Sequence, residues 1–579
     1  MAKYTTVVLE IRNKKLIGVN SLRQDLQRAL KNNPAIYIYH GTGSKKIYIG
    51  QTRRFMDRHS QHYSGREEKF NTARFNRVMV VFSQLFHGSA LDDVESQLIT
   101  YLKADNPHGK VGYDGEIINK TSGNTIVEYE GRESVSSDVI LPLWEKELYN
   151  GGWVRTPVLE QVRTQALVKY SPIKILTDEQ ATLIEEIIAN PARNYLINGD
   201  AGTGKTVLLT HLVANILHER KDTVIGVVVQ PNWEKTGRAI FDIYGMKDDT
   251  RLTISTSTKL IKEGKFFDVI IVDESHKLSR RGSKQMSAFN AVYTISGYEN
   301  CQSHLEILQK MSKQVILMYD VLQTIRPANL SRAEFAELTS SYEKRFLKTQ
   351  FRIQTPKGKN YNSEDYINGI KWLLYKDTGL LESDKNFNRN FNRDVFKDNN
   401  PDAYFGFFDD QPLAKMVSWL EEDQNLNHEH VNRVLAGLFE PWKQSDGSDP
   451  EIKHFQEGNL CRRWNSTQTD WVNSQDDDAK EQIGSVFAVQ GIDLNKVGVL
   501  IGKDLKVTAD GKLEADPDNF FNVNGKFSKK EMKANRFEFT LFVLNIYYVL
   551  LTRGIDGIRV GFWGNDALRE YMLETLDIR

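Results

Sequence analysis

Between the apolar run NYLI and the helical run VLLTHLVANIL lies GDAGTGKT, residues 199–206, and this segment constrains the fold more than any other. A strand that ends in a glycine-rich turn and restarts as a helix is one βα step of a parallel sheet, with the loop's N–H groups free to converge on an anion. Gly199, Gly202 and Gly204 give the loop its freedom. Backbone N–H groups and the helix N-terminus cradle a β-phosphate, Lys205 reaches the β/γ oxygens, and Thr206 holds Mg²⁺. ATP with Mg²⁺ is therefore the expected cofactor pair.

Strand-like and helical runs alternate around this loop. NYLING, VIGVVVQ, FDVIIVDE and QVILMYD are short, apolar and β-branched, with amphipathic stretches between them. That alternation predicts a parallel sheet covered by helices on both faces. A stretch rich in Asn, Asp and Lys, about 354–403, interrupts it; SVFAVQG, KVGVLIG and RVGFWG then predict a second α/β domain. VIIV at 269–272 delivers Asp273 and Glu274 to a strand end, where one carboxylate can hold Mg²⁺ and the other can orient the attacking water.

At 579 residues the chain exceeds one ordinary core, and several domains are expected. Two cysteines, Cys301 and Cys461, support neither a disulfide framework nor a cysteine-based zinc site. No run reaches the roughly 18 to 20 apolar residues that span a bilayer, and the N-terminus lacks a signal peptide's apolar core, so a cytoplasmic location is expected. Lys and Arg balance Asp and Glu at 76 each, yet residues 31–80 carry ten basic and three acidic side chains, an excess of 10 − 3 = +7 that attracts phosphate backbones.

Residues 173–579 resemble superfamily 1 helicases, in particular the P-loop family related to the helicase half of long Schlafen proteins. The resemblance implies that Gln180 in LTDEQ reads adenine and that Asp320 and Gln323 in MYDVLQ sense the γ-phosphate. LKTQFR ending at Arg352, VQG with Gln490 and Gly491, and VLLTRG with Arg553 look like later motifs of a second motor domain, with both arginines reaching ATP. Arginine suits that task because its fixed fork spreads positive charge over a transferring phosphoryl group. Trp233, in QPNWEKTGR, suits either base stacking or a core position.

Upstream, apolar runs at 35–39 and 46–50 joined by HGTGSK predict a β-hairpin, with helices near 51–63 and 90–103. Leu91, Val94, Leu98, Ile99 and Leu102 form one apolar arc on a helical wheel, and Glu95 falls inside it, where a carboxylate needs a cation or a hydrogen-bond partner. IYIYHGTGSKKIYIGQT resembles the hairpin of GIY-YIG nucleases, with Ala35 replacing the first glycine. By that resemblance Tyr37, Tyr48, Arg58 and His62 are catalytic, Glu95 is the metal ligand, and Asn119 is a weaker match to a late asparagine.

The expected architecture is α/β: a small GIY-YIG nuclease domain (1–125), a connector (126–172), and two RecA-like parallel-sheet motor domains (173–335 and 336–579). The expected function is a metal-dependent endonuclease coupled to an ATP-driven helicase or translocase, cutting foreign nucleic acid in anti-phage defence, with DNA favoured over RNA and a homo-oligomer allowed. Rival readings are a DNA repair or processing enzyme, and an ATP-switched binding protein that does not cut. A pure binding module needs no carboxylate in its basic groove, which counts against the last.

Overall fold

The computed structural model describes residues 3–578 apart from 66, 106–115, 118, 120–128, 164, 172–175, 201, 244–245, 247–248, 282–289, 324–329, 429, 444–445, 447–448, 450, 466–470, 474–476, 490–492 and 523–528. They fall into two compact units. Met1–Ile188, Thr206–Ile225 and Val229–Thr256 form the first; Ala189–Lys205, Gly226–Val228 and Ser257–Arg579 form the second.

Strands β1 (Tyr4–Arg12), β2 (Lys15–Ile17), β3 (Ala35–Gly41), β4 (Lys46–Thr52), β5 (Arg77–Ser83) and β6 (Glu116–Ile117) build the first unit's sheet in the order β2-β1-β5-β3-β4-β6. The expected hairpin is β3 against β4, antiparallel, with Tyr37 opposite Gly50 and Tyr39 opposite Tyr48. Position 50 admits no side chain, because a Cβ there would lie 2.4 Å from the Tyr37 hydroxyl. Helices Phe55–His62 and Gly88–Asp105 follow, and all five members of the apolar arc are buried.

The segment expected to be a connector is part of this unit's core. Short helical turns between Arg132 and Arg163 place Val139, Ile140, Leu143, Trp144 and Leu148 in one apolar cluster with Val94, Leu98 and Leu102. Its sequence reads weakly because Pro142 and the Gly151–Gly152 pair break the helical period. Fully buried Asp93 pins the segment's start: its carboxylate accepts two bonds of 2.9 Å from Arg132 and one of 3.0 Å from the Tyr129 hydroxyl. We expect Trp144→Ala, which empties a fully buried site, to lower stability by about 3–5 kcal/mol in a denaturant titration. A slack linker would give no change.

In the second unit, β7 (Tyr195–Gly199), β8 (Ile225–Val228), β10 (Phe267–Val272), β11 (Ser312–Tyr319) and β12 (Glu343–Leu347) form a sheet ordered β12-β7-β11-β10-β8; β9 (Leu252–Ser255) belongs to the first unit. β12, β7, β11 and β10 are mutually parallel. The boundary expected at 335/336 therefore falls before a strand that still belongs to the first sheet. Farther on come β13 (Phe405–Phe408), β14 (Arg433–Ala436), a three-stranded sheet of β15 (Phe455–Glu457), β16 (Leu460–Trp464) and β17 (Gln482–Ile483), then β18 (Leu494–Ile501), the pair β19 (Leu505–Val507) and β20 (Leu513–Ala515), and β21 (Gly554–Phe562). A second, four-stranded parallel sheet runs β13-β21-β18-β14.

Two expectations fail here. SVFAVQG does not form a strand: Val486–Val489 is helical, with Val486 and Val489 buried, an ambiguity inherent in apolar runs this short. Nor is the polar stretch 354–403 a mere interruption, since Ser363–Tyr375 is a helix with an Asn362/Asp365 capping box that buries Tyr366, Ile370 and Leu374. Among the described residues, no helix is long and apolar enough to cross a membrane.

Candidate active sites

β7 ends in the phosphate loop. Gly202 (φ 87°) and Gly204 (φ 76°) occupy the left-handed region that glycine tolerates at no steric cost. Space excludes a side chain at 202 as well, because a Cβ would meet Gln350 Oε1 at 2.0 Å and Arg352 Cβ at 2.6 Å. At Gly199 a Cβ would come 2.4 Å from Thr203 Oγ1. Lys205 Nζ donates to the carbonyls of Gly199 (2.6 Å) and Asp200 (3.0 Å) and lies 3.8 Å from Asp320 Oδ2. Thr206 is the second residue of the helix Lys205–Glu219, and Ala201, Gln490 and Gly491 lie outside the described residues.

Asp273 and Glu274 stand just beyond β10, which neighbours β11 on one side and β8 on the other. Burial, with Glu274 adjacent, pushes the Asp273 carboxyl up to about 7. Burial acts the same way on Glu274, but Lys277 and His276 outweigh it and hold that carboxyl well below the usual range. Glu274 Oε2 is 3.0 Å from His276 Nε2, and its backbone takes a left-handed conformation (φ 52°) that non-glycine residues adopt mainly where surroundings enforce it.

From the end of β11, Asp320 accepts from Leu322 N–H (3.0 Å) and from Gln323 Nε2 (2.6 Å). Gln323 Oε1 in turn accepts from Arg553 Nη2 at 3.3 Å. Arg553 is 1% exposed. Arg352 pairs with Asp493 and donates to Thr552 O at 3.4 Å. Lys205, Asp320, Gln323 and Arg553 thus form one linked series, and Arg352 reaches the residue before Arg553. In the first unit, Gln180 is buried and closes a capping box: its Oε1 accepts from Thr177 N–H and its own N–H donates to Thr177 Oγ1, both at 3.2 Å. Trp233 is half-buried against Tyr170, ring centroids 6.5 Å apart.

Lys371 carries no sequence signature and still proves central. Its Nζ, fully shielded from solvent, lies 2.8 Å from Asp200 Oδ2 of the phosphate loop and 2.7 Å from Asp384 Oδ2. Burial alone would lower its pKa, but these two carboxylates raise it, so the ammonium stays charged. Only the folded chain brings positions 200, 371 and 384 together. Phe351, exposed beside Arg352 in LKTQFR, has no role in that motif's reading; its N–H donates to Gly202 O at 2.9 Å.

In the first unit, the hairpin and both helices bound a cleft of about 440 Å³ lined by Tyr37, Tyr48, Gln51, Arg58, Asp92 and Glu95, among others. The Tyr37 hydroxyl lies 2.8 Å from His62 Nε2 and accepts from Arg58 Nε at 3.4 Å. His62 Nδ1 is 3.0 Å from Glu67 Oε1. Burial and nearby Arg58 lower the His62 pKa to about 4, so the ring is neutral near pH 7. Its one proton belongs on Nδ1, facing the carboxylate, which leaves Nε2 to accept from Tyr37. Burial pushes the Tyr37 hydroxyl pKa up despite Arg58, so Arg58 does not make it an anionic base.

Glu95 is half-buried and accepts from Gln51 Nε2 at 3.1 Å; the same amide reaches Asp92. Burial pushes the Glu95 carboxyl up to about 7, with Asp92 adding to the effect. Tyr48 lines the cleft beneath the Lys69 ammonium, 4.1 Å above its ring. Asn119 bonds both backbone groups of Ile49, accepting at 3.0 Å and donating at 2.7 Å, which ties it to β4. Gln51, Glu67, Asp92 and Lys69 were beyond the sequence reading. Asp92, one helical turn before Glu95, and Gln51, next to the second tyrosine strand's glycine, were the two with a positional signal.

A parallel sheet ending in a phosphate loop, an Asp-Glu pair on a nearby strand and a second parallel sheet in the same unit define a helicase-like P-loop ATPase. The chain belongs to the family of the Schlafen group 3 DNA/RNA helicase domain, whose family model matches residues 192–563. The uncharacterized protein YPL245W of Saccharomyces cerevisiae is 26% identical over 457 residues, covering 71% of this chain and 93% of that protein. Among solved structures, S. cerevisiae Dbp5 bound to RNA and ADP BeF3 is 13% identical, with 72% of this chain and 93% of that one covered at a TM-score of 0.31. Pif1 helicase from Candida albicans is 13% identical, with 70% and 100% covered at a TM-score of 0.28.

Proposed function

We propose that this chain is a nuclease-bearing motor: an ATP-driven helicase-like domain that acts on nucleic acid, joined to a metal-dependent endonuclease in its N-terminal unit. The observation that carries the nuclease half is the convergence of Arg58 and His62 on the Tyr37 hydroxyl, in a cleft that also holds Glu95. Cleavage of foreign nucleic acid is the use that suits a nuclease under ATP control, with DNA as the first substrate to test.

The donor set fits a single Mg²⁺. Glu95 and Asp92 both line the cleft, and Mg²⁺ typically takes one or two carboxylates and keeps several waters. No cluster of three or more ligating side chains occurs among the described residues, which speaks against a metal cage. When bound, Mg²⁺ supplies charge stabilisation for the departing oxygen. The protein's own groups do the rest. Arg58 offsets charge on the transferring phosphoryl group, and Tyr37 positions the attacking water through its hydroxyl. A proton leaving that water passes to the Tyr37 hydroxyl as that hydroxyl gives its own proton to neutral His62 Nε2, with Glu67 stabilising the imidazolium through Nδ1.

At the nucleotide site Lys205 would meet the β/γ oxygens, Asp273 and Thr206 are the side chains that would hold Mg²⁺, and Glu274 would orient water. Its held-down carboxyl keeps it ionised for that task. Gln323, Arg553 and Arg352 would offset charge on the transferred phosphate, and Gln180 is proposed to read adenine. Incubating the full chain with labelled single- and double-stranded DNA and RNA, with Mg²⁺ and with ATP, a non-hydrolysable analogue or no nucleotide, tests both halves. Cleavage that changes rate or pattern with ATP is expected. Absence of cutting on every substrate would remove the nuclease, while equal cutting in all three nucleotide conditions would leave two uncoupled enzymes.

A further inference from the structure

Within the polar stretch, residues 385–393 read KNFNRNFNR: Lys385, Arg389 and Arg393 with no acidic residue between them. The alternation has a structural meaning. The asparagines shape the loop: Asn386 N–H donates to Asp384 Oδ1 (2.8 Å), Asn388 N–H to Asn368 Oδ1 (2.7 Å), Asn390 N–H to Asn388 Oδ1 (2.9 Å) and Asn392 N–H to Asp365 Oδ1 (2.8 Å). Asp365 and Asn368 belong to the buried Ser363–Tyr375 helix, so the loop is fastened to a core element.

The residues between the asparagines bear the cations and rings. The Arg389 guanidinium lies over Trp372 (4.9 Å), and that indole stacks on Phe387 at an interplanar angle of 5°. Lys385 lies over Phe346 (5.3 Å) and Arg393 over Phe391 (4.6 Å). Lys385 and Arg389 are exposed, and neither has an ion-pair partner among the described residues. A solvated basic face needs none of this: no fixed backbone, no aromatic support under each cation. Single-stranded nucleic acid makes use of it, since its phosphates need cations held in place and its bases can stack on the exposed Arg389 guanidinium.

The residue just before the loop, Asp384, is also tied to the phosphate loop. Asp384 shares the Lys371 ammonium with Asp200 of the phosphate loop. We propose that residues 385–393 form a contact for single-stranded nucleic acid, and that Lys371, through Asp384 and Asp200, links this contact to the phosphate loop. The inference rests on the reading that the chain acts on nucleic acid and names where the motor holds the strand. A nucleotide that shifts Asp200 then shifts the loop, and by reciprocity a bound strand alters nucleotide affinity.

The test uses full-length protein and fluorescent oligo-dT and oligo-U of about 20 nucleotides, longer than one domain's footprint. Anisotropy is measured over a range of salt, with and without MgADP, for wild type, K385Q/R389Q and R389K. The double variant is expected to bind about 10-fold or more weakly, with a log–log salt slope shallower by about 1.4, because two phosphate contacts at roughly 0.7 each are gone. R389K should keep the slope yet weaken binding, having lost the planar stacking surface. Both positions are exposed, so melting temperatures should match wild type. A double variant that binds both strands like wild type, with the same slope, overturns the contact. Wild-type affinity identical with and without MgADP overturns the link to the phosphate loop. Wild type binding neither oligonucleotide would instead sink the nucleic-acid reading, and this inference with it.

Discussion

Lys205→Ala should reduce ATP hydrolysis by at least about 100-fold, the usual loss when one preorganised donor to a transferring phosphate is removed. The expectation follows from geometry. Lys205 Nζ sits within the loop, bonded to the carbonyls of Gly199 and Asp200 and 3.8 Å from Asp320, so its ammonium is aimed where phosphate oxygens must lie. The side chain is 8% exposed and not a free loop residue, so its removal also deletes two hydrogen bonds. Only the two hydrogen bonds and the packing of one buried stem are lost, so the melting temperature should fall by only a few degrees. Measured together, ATPase rate and melting curve separate the outcomes. Undiminished turnover in a folded variant would end the assignment of this loop as the nucleotide site. Parallel collapse of both quantities would make Lys205 a structural residue first, and Lys205→Met, which keeps the stem's packing, would then decide.

What could be read in the sequence was whatever depends on near neighbours. The phosphate loop, the strands around it and the tyrosine hairpin all have local signatures, since glycine, β-branched runs and period-2 alternation act within a few residues. Glu95 was legible because a carboxylate in an apolar arc is a local contradiction, and its resolution is the Gln51 amide. Lys371 was not legible, because nothing local distinguishes a lysine on a helix that finds two carboxylates, one of them 171 positions away. Glu67 is similar: its meaning comes from meeting His62 and Arg58 at once. SVFAVQG misled for the opposite reason, since a short apolar run buries equally well as strand or helix. The connector misled because proline and glycine broke its periodicity without preventing Trp144 from reaching the core. Gln180 shows a third case, in which a residue given a ligand role also completes a helix cap with Thr177, so one short motif carries two meanings.

Glu95→Gln should abolish the proposed Mg²⁺-dependent cleavage, by about 1,000-fold or more if Glu95 is the ligand that fixes the ion, while retaining affinity for nucleic acid. Gln keeps the volume and can still accept from Gln51, so packing is nearly unchanged, and removing a carboxylate beside Arg53 and Arg58 lessens the cleft's repulsion of phosphate. Stability supplies an independent reading with a definite sign. Burial raises the Glu95 carboxyl from its ordinary value of 4.5 to about 7, so the folded, metal-free protein binds this proton more tightly than the unfolded chain. Its contribution is fully present below about pH 4.5, falls as pH rises through 7, and then stays low. Metal-free E95Q should therefore melt above wild type at pH 8 and close to it at pH 4.5. Mg²⁺ should narrow the pH 8 gap by stabilising wild type alone, because only the carboxylate gains a cation. A variant that cuts at the normal rate would move the metal elsewhere, with Asp92 the next residue to substitute. Lost cleavage without any Mg²⁺ effect on the wild-type melting curve would instead make Glu95 a positioning residue that holds Gln51 and the cleft floor, and would separate metal binding from the geometry that Tyr37, Arg58 and His62 share.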